Sequence, residues 1–328
     1  MGPTTRALFA EVYARPDDDA PRLVLADHLL ELGDPRGEFL ALQLAKGKPT
    51  PSARRKEKAL LEKHRVAWLG PLAEVVNPYH HVFRRGFLAE VMADFGGNTL
   101  PPADEWATVE RLRLRGDRTI EVPALLDSPF RALREIEALD AGTLATMVTQ
   151  PEAYPRLTTL SVAGLSFEQS PRAREAVRRI PALPLVDDVS LTLNRHPWTV
   201  EDFAWVYDGD LVRRLRRLEV RLSQPLDVAG WREAIEARAS DLQELVVATG
   251  YFSFVFQRGP DAGLSALRVL WHGVTHDARH LTGVTAALRG LPLDALTSFA
   301  LDLGETRFSP NQLAPLRNLV ERQTRLSR

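Results

Sequence analysis

The sequence predicts an α/β solenoid, an arc with a parallel concave sheet and helices on its convex side, preceded by a small all-α module. Three observations predict it. A template apolar-x-x-apolar-x-apolar recurs eight times between residues 109 and 301. Helix start signals fall between successive copies. Residues 4–75, by contrast, read as short amphipathic helices. The expected division is a helical capping module at 1–75 and a repeat domain at 76–328.

Composition bounds the chemistry. The 328 residues carry 42 Lys+Arg against 43 Asp+Glu, a net charge of −1, which disfavours a polybasic nucleic-acid binder. A chain this long buries roughly 75% of its unfolded surface and needs no covalent staples. Cysteine is absent, which removes disulfides, thiolate metal sites and Cys nucleophiles and fits a cytoplasmic location. No secretory signal is visible and no 18 apolar residues run together, so no membrane span is expected. All five lysines lie between 46 and 63, which marks the N-terminal part as a separate module.

The module's first helix carries Leu8, Phe9, Val12 and Tyr13. The run Asp17-Asp18-Asp19 before Pro21 reads as a helix start, because carboxylates suit the positive helix N-terminus and Pro suits its first turn. It lacks the ligand register of an EF-hand. A helix at about 21–32 brings Leu23, Asp27 and Leu30 near one another and ends at Gly33. Asp27 is expected to pair with Arg22 or Arg36. Asp34–Gly37 reads as a turn, Glu38–Leu44 as a helix, and 53–68 as another.

Residues 14–45 resemble the bacterial repeat-companion domain in the order and spacing of the Pro-Asp-Asp-Asp run, Arg22, Ala26-Asp27, Gly33-Asp34-Pro35 and Glu38-Phe39. That family often has Trp where this chain has His28. The resemblance implies no chemistry, only that a repeat domain follows.

The template is met at Val109/Leu112/Leu114, Leu133/Ile136/Ala138, Leu157/Leu160/Val162 and Val186/Val189/Leu191. It continues at Leu215/Leu218/Val220, Leu242/Leu245/Val247, Leu267/Leu270/His272 and Leu296/Phe299/Leu301. First positions lie 24, 24, 29, 29, 27, 25 and 29 residues apart, and Leu88/Val91/Ala93 is a weaker earlier copy. Helices are expected at 171–179, 228–238 and 283–289, after a capping box at Thr199 and Asp202, and after Ser309-Pro310. A strand and a helix in each unit resemble the leucine-rich repeat family, its ribonuclease-inhibitor-like type, over about 85–328. The family's Asn beyond each strand stands here only at Asn194, so an irregular arc is expected.

Strand side chains alternate, so positions between the template residues line the concave face. These are Glu90 and Met92, then Arg111, Arg113 and Arg115, then Glu135, Glu137 and Leu139. Farther on come Arg217, Glu219 and Arg221, then Glu244, Val246 and Ala248, then Val269 and Trp271. The expected function is non-enzymatic binding of a protein partner on this face, with Trp271, Val269 and Val246 as an apolar anchor flanked by Arg217 and Arg221. Residues 251–256 alternate like a strand and are a candidate cover for that patch. The alternative is an RNA- or phosphate-binding module using Arg111, Arg113, Arg115, Arg217 and Arg221, against which stands charge exchange with glutamates one strand away. A metal-dependent hydrolase using His276 and His280 ranks third, because His272 is placed in a strand and cannot share their helix. His80-His81 sit beside Pro78 and Tyr79 at the junction, and in extended chain point apart. No nucleotide, hydrolase or kinase motif is found, and no cofactor or metal is expected.

Overall fold

The computed structural model describes residues 2–94, 101–115, 130–165, 171–193, 203–207, 209–222, 228–259, 263–272, 278–293, 296–303 and 308–325. Asn194, the Thr199–Asp202 pair and His276 lie outside them. The chain forms two compact units, Met1–Thr158 and Thr159–Arg328. Among the described residues no helix is long and apolar enough to cross a membrane.

The first unit opens with four helices: α1 (Pro3–Ala14), α2 (Asp19–Glu31), α3 (Pro35–Leu44) and α4 (Pro51–Leu69). Asp18 caps α2 as the acidic run predicts, accepting from the Ala20 amide at 2.9 Å. Asp34 caps α3 in the same way, at 2.9 Å from the Arg36 amide. The predicted turn at Asp34–Gly37 is therefore the first turn of α3, with Pro35 at its N-terminal position. Gly37 serves helix packing: a Cβ there would stand 2.6 Å from the Leu30 amide nitrogen of α2. The expected ion pair of Asp27 does not form. Asp27 is exposed, Arg22 is buried over the Phe87 ring, and Arg36 lies 4.8 Å from both Phe9 and Phe87.

These helices close on a hairpin, β1 (Val76–Arg84) and β2 (Phe87–Asp94). Its two-residue turn has positive φ at Arg85 and Gly86, the geometry that matches strand twist. Phe87 completes the apolar cluster of Phe9, Val12, Leu25, Leu29 and Leu40. Gln43 receives the Gly86 amide at 2.7 Å and donates to the Phe83 carbonyl at 3.1 Å. Parallel strands β3 (Arg111–Arg115) and β4 (Glu135–Leu139) follow in register, Glu90 beside Arg111 beside Glu135. Helix α5 (Ala141–Met147) follows, capped by Asp140. The template residues Leu112, Leu114 and Ile136 are buried. Leu139, expected on the open face, is buried too, because Ala138 has φ +60 and breaks the alternation.

In the second unit β5 (Thr159–Leu165), β6 (Asp188–Leu193), β7 (Arg217–Arg221) and β8 (Glu244–Ala248) pair parallel. Between them lie α6 (Pro171–Arg178), α7 (Ala204–Tyr207), α8 (Leu211–Arg214) and α9 (Val228–Glu236). The predicted strand at 251–256 exists as β9 (Phe252–Arg258). It does not lie over the sheet. It enters the sheet antiparallel between β8 and β10 (Leu264–Trp271). After α10 (Ala278–Arg289), β11 (Ser298–Asp302) pairs parallel with β10, and α11 (Pro310–Arg325) closes the unit. Ser309 and Gln312 cap α11 reciprocally. The architecture is thus α/β with a mostly parallel, unclosed set of strands in each unit.

Candidate functional site

In the second unit the expected anchor is divided between two faces. Paired residues of neighbouring strands share a face. Val246 pairs with Val255, which pairs with Arg268, whereas Val247 pairs with Phe254, which pairs with Val269. Val246 therefore lies on one face and Val269 and Trp271 on the other, with Leu245, Val247 and Leu267. The repeat template in β10 starts at Leu264, three residues before the expected Leu267, and an odd shift turns every side chain to the opposite face. Trp271 is 8% exposed, with the Tyr251 ring stacked at 6.4 Å and Phe308 edge-on at 5.1 Å. Val246 forms a small cluster with Ala248, Val255 and Leu270.

Arg217 and Arg221 lie beside Val246 as expected, but their charges are spent within the sheet. Arg217 bonds Glu219 at 2.6 Å, Glu244 at 2.8 Å and Asp188 at 3.0 Å, and Arg221 bonds Glu219. Burial by itself would lower the pKa of Arg217. The three carboxylates outweigh burial and raise it. A phosphate would have to displace all three.

In the first unit Arg111 is likewise held, by Glu135 at 2.5 Å and Glu90 at 3.2 Å. The hydrogen bond to Glu135 raises its pKa most. Arg115 is also engaged. Arg113 differs: its Nε stands 3.5 Å from Glu137, and its Nη groups have no partner among the described residues.

Arg113 borders a cleft of about 300 Å³ on this face, walled by Tyr79–Val82 of β1, Glu90–Met92 of β2, Arg111 and Glu137. A bulge opens it. Val76 pairs with Ala93 and His81 with Val91, so 77–80 have only Met92 opposite them. Local bonds organise the bulge. Asn77 Oδ1 accepts from the Tyr79 amide at 2.9 Å, and Arg65 donates to the Pro78 carbonyl at 3.3 Å. His81 Nδ1 lies 3.2 Å from the Asn77 carbonyl and donates to it, which leaves Nε2 an acceptor. Burial holds His81 below the ordinary imidazole range; nearby Arg65 adds to this and the Asn77 carbonyl opposes it. The bulge holds Tyr79 out, 86% exposed.

The cleft thus offers a phenol, a thioether, the carboxylates of Glu90 and Glu137 and one guanidinium with free donors, whereas the His81 ring, paired with Val91 and edge-on to Phe83, lies on the other face. A Ser–His pair occurs elsewhere, Ser253 Oγ to His272 Nε2 at 2.8 Å, but Ser253 is buried. Asn-Pro-Tyr-His-His is a turn-forming string that signals a break in β1. Nothing in it forecasts which ring would face solvent. His280 lies in α10 and His272 just beyond β10, on separate elements. No family model, curated protein or solved structure matches the chain.

Proposed function

We propose that the chain is a non-enzymatic protein-binding scaffold of leucine-rich-repeat type, capped by a repeat-companion-like module, that takes a peptide segment of its partner on the open strand face. The observation that supports this most directly is the ordered bulge that holds Tyr79 over the Arg113 cleft. An exposed aromatic on a fixed backbone loses little entropy on binding, and Tyr and Arg dominate interface energetics. The ion pairing of Arg111, Arg217 and Arg221 weighs against the phosphate reading.

The test selects peptides from a displayed random library on the full chain and measures them by fluorescence anisotropy. Tyr79→Ala and Arg113→Ala are each expected to weaken binding about 10-fold or more. Selected peptides that bind both variants as well as the parent would refute the site. Labelled single-stranded RNA is run beside them. Binding that falls steeply between about 50 and about 200 mM salt would favour the nucleic-acid reading instead.

A further inference from the structure

Nine large apolar side chains are exposed among the described residues, and four lie on α2 and its C-cap: Leu23, Val24, Leu30 and Leu32. The inner side of α2 is filled by Leu25, Ala26 and Leu29, so this helix is apolar on both sides. An exposed apolar stripe on a surface helix marks an interaction site. The charges beside it are acidic, Asp27 and Glu31, both exposed, and the one arginine of α2, Arg22, faces inward. The stripe therefore suits a helix that is partly apolar and basic.

Helix α4 of the same chain has that character. It exposes Arg55, Ala59, Lys63 and Val66 at the spacing of one helical face. Within one chain α3 packs against both α2 and α4, and the exposure of Leu23 and Val66 leaves their faces unmet. We propose that the chain forms a two-fold dimer in which α2 of each copy packs antiparallel on α4 of the other. That register sets Leu23 by Val66, Asp27 by Lys63 and Leu30 over the small Ala59, with Glu31 in reach of Arg55. A reciprocal contact of this kind closes on itself and repeats each pairing twice. It uses neither the strand face nor the cleft.

Sedimentation equilibrium of the full chain tests it. A dimer is expected at micromolar concentration. Leu30→Asp and, separately, Lys63→Glu should each raise its dissociation constant about 30-fold or more, since each change occurs twice in the interface. The exchange Asp27→Lys with Lys63→Asp should restore the dimer. Circular dichroism confirms that these surface variants stay folded. A wild-type monomer at about 100 μM, a dimer indifferent to Leu30→Asp, or a dimer indifferent to Lys63→Glu overturns the assignment.

Discussion

At the scale of single residues, Trp271 shows how burial decides role. A Trp on an open sheet is a binding anchor, whereas the same side chain turned inward is core. Because Tyr251 and Phe308 enclose it, Trp271→Ala is expected to cost about 3–5 kcal/mol of stability. A urea titration of the variant reads this as a lower midpoint, and an unchanged midpoint would return Trp271 to the surface. His81 is the second case. Its folded pKa lies below the ordinary 6.5, so as the pH falls the unfolded chain takes up that proton first. The stability it supports is complete above about 6.5 and is lost as the pH falls through the window beneath. The drop in urea midpoint between about pH 7.5 and about pH 5.5 should be smaller in His81→Gln than in the parent. An equal drop would place His81 in water.

At the scale of elements, spacing made most strands legible. The positions of Leu112, Val189, Leu218 and Leu245 follow from the template, and each is buried. The failures share one cause. The template records where apolar residues recur but not how many residues pleat between them. Leu264/Leu267/Val269 meets it with three apolar residues and Leu267/Leu270/His272 with only two, and the strand adopts the first frame, with Leu267 and Val269 on one face. Ala138 changes the alternation through a positive φ that Ala does not announce, and the bulge at 77–80 changes it in a way that Asn-Pro signals only as a break, without its register. The cleft was legible only as ingredients, Tyr79, Met92 and Arg113, because its shape depends on that bulge. The hairpin turn can be tested in the same terms. A Cβ on Gly86 would stand 2.1 Å from Leu40 Cδ2, and φ there is +80. Gly86→Ala should cost about 1–3 kcal/mol for the overlap and about 1 more for the conformation. In a Leu40→Ala background the overlap part should vanish, which a double-mutant cycle measures. An unchanged cost would mean that the backbone conformation alone resists the change.

At the scale of the whole molecule, the β1–β2 hairpin carries apolar side chains that the helical module covers within the first unit. Phe87 meets Phe9 at 5.9 Å and Tyr13 at 5.8 Å, edge-on in both cases. The acidic run, read from the sequence as a helix start, adds polar fastening. Asp17 pairs with Arg134 and Arg156, and Asp19 pairs with Arg85 at 3.3 Å. The two contributions differ in size. Half-exposed ion pairs contribute about 0.2–1 kcal/mol each, whereas burying one aromatic side chain contributes about 1.5–3. Apolar closure should therefore dominate, and two variants separate it from the ion pairs. Asp17→Asn should lower the urea midpoint slightly, with the difference shrinking in about 1 M salt as the pairs are screened. Removal of residues 1–75 exposes Phe83 and Phe87 together, and the remaining chain should aggregate or lose its cooperative transition. A soluble truncated chain that unfolded with the parent's midpoint would show that the strands close without the module, and that the role of residues 1–75 lies in association rather than in capping.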